Sequence, residues 1–333
     1  MAAERLQMQE FNDIPVLQTA TVIANDRLCR EHLRIILRLD SFATASPGQF
    51  VHISPAQGDH RGYHRLDDTE GGASDAWRAD CFDPLLRRAF SIAGLRRRSD
   101  SVEIDLIYRE VGTATNWMAS LGHGDTASVL GPLGNLFPIS NRKRAAWMVA
   151  GGVGLPPMLW LAAALADHDR KTVAFCGAQT RDLLALTMDR DQSPSPDASL
   201  ATCCAAEFAR VNTPVVLSTD DGSLGFHGHI GQALSCYHES NPTPADDLVV
   251  YTCGPERMMR FVSDFCGERG IECKVCMERA MACGTGTCQS CVVPIHDDDD
   301  RDGWRYRLCC TDGPVFDSRD IVWEPSSCVA GKG

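Results

Sequence analysis

The sequence predicts a β barrel joined to an α/β unit built on a parallel sheet, with a small cysteine-rich unit at its C-terminal end. Three observations carry this. From Val16 to Pro138, short apolar runs with alternation ("LRIILRLD", "QFVHIS", "VEIDLIYREV", "TASVLGPLG") are broken by Gly, Pro and Asp, as antiparallel strands of a barrel or sandwich are. Beyond residues 141–144, apolar strands alternate with helical segments ("AAWMVA", "MLWLAAALADHD", "TVAFCGA", "VVLSTD", "LVVYTCG", "ERMMRFVSDFCGERG"), which implies a parallel sheet with crossover helices. The third is "MACGTGTCQSCVV", residues 281–293, which sets three cysteines among glycines. The expected boundaries are 12–140 for the barrel domain, 141–270 for the α/β domain and 271–333 for the cysteine-rich domain.

Bulk properties narrow the function classes. A chain of 333 residues with 44% hydrophobic and 23% charged content is an ordinary globular composition. No apolar run reaches the roughly 18 residues that span a bilayer, so no membrane is expected. A net charge of −12 opposes binding to nucleic acid. The start, "MAAERLQMQEFNDIPVLQ", lacks a basic region followed by an apolar core, so a cytoplasmic, reducing location is expected. The sixteen cysteines are then mostly free thiols or ligands.

Taken in chain order, the barrel pattern is interrupted between Pro55 and Pro84 by a polar, Gly-rich, aperiodic stretch expected to be a long surface loop. The first motif of the α/β part is "WMVAGGVGLPPMLWLAAALA". It runs strand, glycine turn, helix. Gly151, Gly152 and Gly154 let the backbone approach a diphosphate, and Pro156 and Pro157 suit the first turn of a helix whose free N–H groups bind anions. It departs from G-x-G-x-x-G at Pro157, and no acidic residue closes the following strand; a tight turn without ligand is the alternative. In "LSTDDGSLGFHG", Asp220 or Asp221 is placed to bond an adenosine ribose and repel a 2′-phosphate, favouring NAD over NADP, with Arg181 as a counter-signal. His227 and His229 are expected on one side of a strand, as ordinary surface residues. The second motif, "VVYTCGPERM", ends a strand with Cys253, Gly254 and Pro255, at the edge where open α/β sheets bind ligands.

Cys283, Cys288 and Cys291 are spaced C-x4-C-x2-C, with Cys309 and Cys310 further on. This is the ligand spacing of a plant-type [2Fe–2S] cluster, with one of the later pair as fourth ligand. Zinc is the rival, but its structural sites usually show two C-x2-C knuckles. Gly284 and Gly286 let the loop curl so that backbone N–H groups face the sulfurs of an anionic cluster. The acidic run "HDDDDRDG" before the last pair reads as a solvated loop.

In this order the pieces resemble the ferredoxin–NADP reductase superfamily, and within it the electron-transfer subunits of NAD-dependent dihydroorotate dehydrogenases, over nearly the whole chain. "PGQFVHI" and "LLRRAFSI" are similar to that family's flavin-binding strands, and "YREVGTATNWM" to its second flavin segment. The resemblance implies FAD in the barrel domain. Arg88 would pair with its diphosphate, Ala89, Phe90 and Tyr108 would line its site, and Ser91 would bond near the reactive edge. Gly112, Thr113 and Thr115 would lie at the diphosphate, and Ser91 with Cys253 would be the catalytic pair. "CTDGPVFDSRDIVW" is similar to the subunit's tail and aligns Cys310 as the fourth cluster ligand, with Cys309 spare. Where sulfide dehydrogenase and transhydrogenase subunits commonly carry Asp at the first ligand position, this chain has Cys283. The implied activity is electron transfer among NAD, FAD and a [2Fe–2S] cluster, with an FMN-containing dihydroorotate dehydrogenase catalytic subunit as partner in a heterotetramer of pyrimidine biosynthesis. The alternatives are a reductase subunit of another iron–sulfur flavoprotein and a zinc-stapled nucleotide sensor.

Overall fold

The structure, a computed structural model, describes residues 15–56, 86–166, 168 and 170–323. Nearly all of the loop expected at 55–84 lies outside these residues. Strands β1 (Val16–Arg27), β2 (His32–Leu39), β3 (Phe50–Pro55), β4 (Arg88–Arg97) and β5 (Val102–Arg109) are followed by helix α1 (Thr113–Ser120) and β6 (Thr126–Leu133). The six strands close into an antiparallel barrel in the order β1-β2-β5-β4-β3-β6. Alternation explains its interior, where Val22, Ile35, Leu37, Ile92, Ile104 and Val129 are fully or almost fully buried. The acidic residues of β5, Glu103 and Asp105, are also buried. Asp105 takes a two-pronged bond from Arg96 at 2.7 and 2.8 Å and another from Arg34, while Glu103 takes Arg38, Arg96 and Arg98. Carboxylates this buried are tolerated because every one is paired.

The second unit begins with β7 (Ala145–Gly151), then α2 (Leu155–Ala166), β8 (Lys171–Ala178), the short α3 (Ala206–Ala209), β9 (Val215–Thr219) and β10 (Phe226–His227). It continues with α4 (Ile230–Ser240), β11 (Leu248–Cys253), α5 (Glu256–Glu268) and β12 (Glu272–Cys276). A hairpin of β13 (Val292–His296) and β14 (Trp304–Leu308) precedes β15 (Val315–Asp317). The sheet order is β10-β9-β8-β7-β11-β12-β15, parallel except for the last strand. One apolar face, with Trp147, Phe175 and Val250, packs on α4 and α5; the other, with Met148, Ala150 and Tyr251, packs on α2. Among the described residues no helix is long and apolar enough to cross a membrane.

The cysteine-rich stretch therefore leaves the sheet at β12 and returns to it at β15. The acidic run expected to be solvated forms the exposed tip of the β13–β14 hairpin, where Arg305 pairs with Asp297 at 2.6 Å. The return is held to the barrel rim through Asn135, just after β6, whose backbone N–H donates to the Gly313 carbonyl at 2.6 Å. Its side-chain amide donates to the carbonyls of Asp312 at 2.9 Å and Val315 at 2.8 Å, and its oxygen accepts from the Val315 N–H at 2.9 Å. Beside it, Gly134 leaves no room for a larger residue, since a Cβ would stand 2.6 Å from Pro314. Asn135→Ala strands the N–H and carbonyl of buried Val315, while the exposed Asp312 carbonyl turns to water, and an unsatisfied buried group costs about 1–3 kcal/mol. Denaturant unfolding of the variant is expected to show a loss of about that size, with the midpoint lowered and the slope unchanged.

Candidate functional site

The barrel and the carboxyl ends of the sheet strands enclose a cleft of about 530 Å³. The barrel wall presents Ala89, Phe90 and Ser91 from β4 and Tyr108 from β5, with Thr115 from α1. Phe90 and Tyr108 meet edge to face at 6.2 Å. The Tyr108 hydroxyl donates to Asn25 at 3.0 Å, and burial pushes its pKa up to about 12, so it stays protonated. Asn25 in turn donates to the carbonyls of Met118 and Leu121 at the end of α1. At the start of α1, the Thr115 hydroxyl accepts the N–H groups of Val111 and Gly112 at 2.8 and 3.1 Å. Thr113 is exposed at the same helix end. Arg88 is exposed and its guanidinium turns back on the carbonyls of Leu86 and Arg87.

The opposite wall is the glycine turn, through Val153 and Pro156, and the segment from Cys276 to Met281 that leaves β12. The two expected nucleotide motifs meet here, because β7 and β11 are neighbours in register, Ala150 beside Cys253. A Cβ on Gly154 would lie 2.0 Å from the Cys253 carbonyl oxygen, and one on Gly254 would lie 2.7 Å from that of Gly151. Gly152, with φ 54°, is exposed with open space around it. Pro255 packs against Gly151 and caps α5. Cys253 is 1% exposed and lies behind the cleft wall. The neighbouring Cys276 thiol and burial hold its thiol well above the usual range. The residues missed from the sequence are those of "MERAM". Glu278 stands 4.0 Å from the Cys253 sulfur, and its carboxyl, ringed by protein although solvent reaches its outer side, is pushed up by burial. Nothing in their residue types marks Met277, Glu278 and Arg279 as a cleft wall; only their position after β12 does.

A second cavity of about 610 Å³ lies at the ends of β8 and β9, against the β1–β2 turn. Arg181, Asp182, Asp221 and Ser223 line it, and Asp182 pairs with Arg30 of the barrel at 2.8 Å. Asp221 lines this cavity, whereas Asp220 turns to His229 at 3.1 Å. His227 and His229 do not share a strand: the first ends β10 and the second is the N-cap of α4.

The cysteine loop begins two residues beyond the cleft wall. Left-handed backbone at Gly284 (φ 74°), Gly286 (φ 83°) and Gln289 (φ 55°) curls it. The Cys283 sulfur accepts the N–H groups of Cys288 and Thr285, each at 3.4 Å, and these bonds pull its pKa down to about 6. Cys288, beside Ser290 at 3.2 Å, is also lowered. Cys310 interacts with Cys291; burial first and that contact second push it up to about 12, against the opposing pull of the Gly286 N–H. The four thiols thus form two pairs, Cys283 with Cys288 and Cys291 with Cys310. Cys309 points away and donates to the Met277 carbonyl at 3.3 Å. Among the described residues, no three His, Cys, Asp or Glu side chains are gathered as for one metal ion. The N–H groups turned on Cys283 and the paired thiols fit the anionic dinuclear group read from the spacing.

The lowered Cys283 pKa has a direct consequence in metal-free protein. Its thiolate persists down to about pH 6, against about 8.5 for an ordinary thiol. Peptide mass mapping after brief iodoacetamide treatment at neutral pH is expected to find Cys283 and Cys288 alkylated first. The buried Cys253, Cys176 and Cys309, all pushed up, are expected to lag, and Cys283 labelling to fall off only below about pH 6.

Comparison with known proteins agrees with this geometry. Residues 278–322 match the model of the iron–sulfur cluster binding domain of dihydroorotate dehydrogenase B, and residues 148–264 that of an oxidoreductase NAD-binding domain. The "Dihydroorotate dehydrogenase B (NAD(+)), electron transfer subunit" of Desulforamulus reducens is 30% identical over 84% of this chain and 88% of its own. That of Bacillus caldolyticus is 31% identical over 83% and 86%. A solved NADH-dependent reduced ferredoxin–NADP oxidoreductase structure aligns with a TM-score of 0.68 at 21% identity, over 91% of this chain and 90% of that one, and so shares the fold. With a barrel, a parallel sheet and a cysteine loop in one order, and about 30% identity across most of both chains, this chain belongs to the electron transfer subunits of dihydroorotate dehydrogenase B.

Proposed function

We propose that the chain passes electrons between a dihydroorotate-oxidising partner and NAD, through a [2Fe–2S] cluster on the cysteine loop and FAD in the cleft. The observation that carries this is continuity: the segment lining the cleft, Cys276–Met281, runs directly into the loop that starts at Cys283. FAD supplies the exchange of a hydride on one side and single electrons on the other, which no side chain can perform. The residues do the positioning. Ala89, Phe90 and the Tyr108 ring form an apolar wall for a flat ring, with the Ser91 hydroxyl at its edge. Gly112, Thr113 and Thr115 at the α1 start take the FAD diphosphate, with Arg88 as a cation beside it.

The sheet orders the second nucleotide. A ligand laid across the carboxyl ends of β11, β7, β8 and β9 has one end at the cleft and its middle at Gly151, Gly152 and Gly154, where the missing side chains let the backbone come close to a diphosphate. Its other end reaches the second cavity. Asp221 there, rather than Asp220, takes the ribose hydroxyls and disfavours a 2′-phosphate. Gly254 and Pro255 keep the strand end flat, Cys253 backs the reacting ring, and the Glu278 carboxyl, its pKa raised by burial, stands at the wall.

Cys283 with Cys288, and Cys291 with Cys310, take one iron each. The partner is the FMN-containing catalytic subunit, in a heterotetramer, and the setting is cytoplasmic pyrimidine synthesis; this subunit does not itself bind dihydroorotate. The direct test is dihydroorotate-dependent NAD reduction by the copurified complex. Cys310→Ser is expected to lose the iron and acid-labile sulfide of the cluster with flavin retained, whereas Cys309→Ser keeps both. Asp221→Ala is expected to raise KM for NADH about tenfold, the worth of a charge-assisted hydrogen bond, and to narrow the preference over NADPH, read by steady-state flavin-dependent dye reduction.

A further inference from the structure

Cys29 stands in the turn between β1 and β2, which closes as the His32 carbonyl accepts the N–H groups of Leu28 and Cys29 at 2.9 and 3.3 Å. The turn carries the half-buried thiol into the wall of the second cavity. Its sulfur lies 3.3 Å from Nδ1 of His32. Among the described residues no other cysteine has an imidazole partner.

His32 is 3% exposed, and its other nitrogen, Nε2, is buried without a hydrogen-bond partner. Burial first and Arg109 second hold its pKa below the usual range, so at neutral pH the ring carries a single N–H. A proton on Nε2 would be a buried donor with no acceptor, which is costly. On Nδ1 the same proton meets the sulfur. The imidazole therefore donates to Cys29, and a donor there supports the negative charge through which a thiol attacks.

The cavity beside the thiol also favours an anion. Asp182 is held by Arg30, and Asp221 by the Ser223 hydroxyl at 2.6 Å. Arg181 lines the same cavity, is exposed, and its guanidinium has no partner among the described residues. A thiol, its donor and an uncommitted cation in one cavity suit a small sulfur compound that bears a carboxylate.

We propose that Cys29 is a modification site, where a carboxylate-bearing low-molecular-weight disulfide leaves one half of itself and closes the second cavity to the nucleotide. The Cys29 sulfur attacks one sulfur of the disulfide. A new S–S bond forms as the old one breaks, the electron pair departs on the released thiolate, and the Cys29 proton ends on that thiolate. His32 is a positioning residue for this exchange. The closure rests on the reading that the far end of NAD occupies this cavity.

The test treats the intact holoprotein anaerobically with oxidised glutathione, quenches with acid and maps the peptides by mass. One glutathione is expected on Cys29, added faster than on Cys236, which is more exposed but has no imidazole beside it. KM for NADH in flavin-dependent dye reduction is then expected to rise at least about tenfold, the worth of one lost hydrogen bond to a charged group, and to return with dithiothreitol. Treatment is expected to leave the KM of Cys29→Ala where it was, and His32→Leu is expected to add glutathione to Cys29 about tenfold more slowly than the native protein, for want of the donor. No adduct on Cys29, or one slower than on Cys236, overturns the modification site and leaves the nucleotide reading standing. An adduct on Cys29 with KM unchanged overturns the closure and the placing of NAD in this cavity together. Mapping and kinetics of the native protein decide both points even if a variant fails to fold.

Discussion

The arrangement depends on the return of the chain to the sheet. Once β12 ends, the cysteine-rich stretch is tethered at both ends, by covalent continuation from Cys276 and by β15 pairing back on β12. Asn135 then fastens the returning strand to the barrel. A glycine-rich loop with free ends would wander over many conformations. With both ends fixed beside one cleft, its closure entropy is met by the sheet and barrel contacts that fold the rest of the molecule.

The same constraint explains why cysteines of one chain differ so widely. Cys283 is reached by two backbone N–H groups, which stabilise its thiolate. Cys253 and Cys309 lie in the packed core between sheet and loop, where a thiolate would be desolvated and set against other sulfurs. The groups that can bind an anionic cluster and those that line its protein surroundings are separated by backbone direction, not by sequence neighbourhood. Cys309 and Cys310, adjacent in the chain, point to opposite sides: one bonds the Met277 carbonyl and the other faces Cys291.

Glycines serve two distinct purposes here. At Gly154 and Gly254 their lack of a side chain allows two strand ends to touch, bringing two motifs about a hundred residues apart into one site. At Gly284 it allows the buried imidazole of His52 to lie against the loop.

Periodicity alone determined the order of barrel, parallel sheet and cysteine segment, because alternation at two residues and at helical spacing reflects which face of each element is buried. Spacing alone picked out Cys283, Cys288 and Cys291, and the glycine turn, since these functions need neighbouring residues. Only the tertiary structure decided the rest. Asp221 rather than Asp220 meets the second cavity because successive residues leaving a strand face opposite ways. The cleft wall at Met277–Arg279 and the place of His52 arise where distant strands are packed side by side. Such contacts leave no local pattern, for their partners lie far away in the chain.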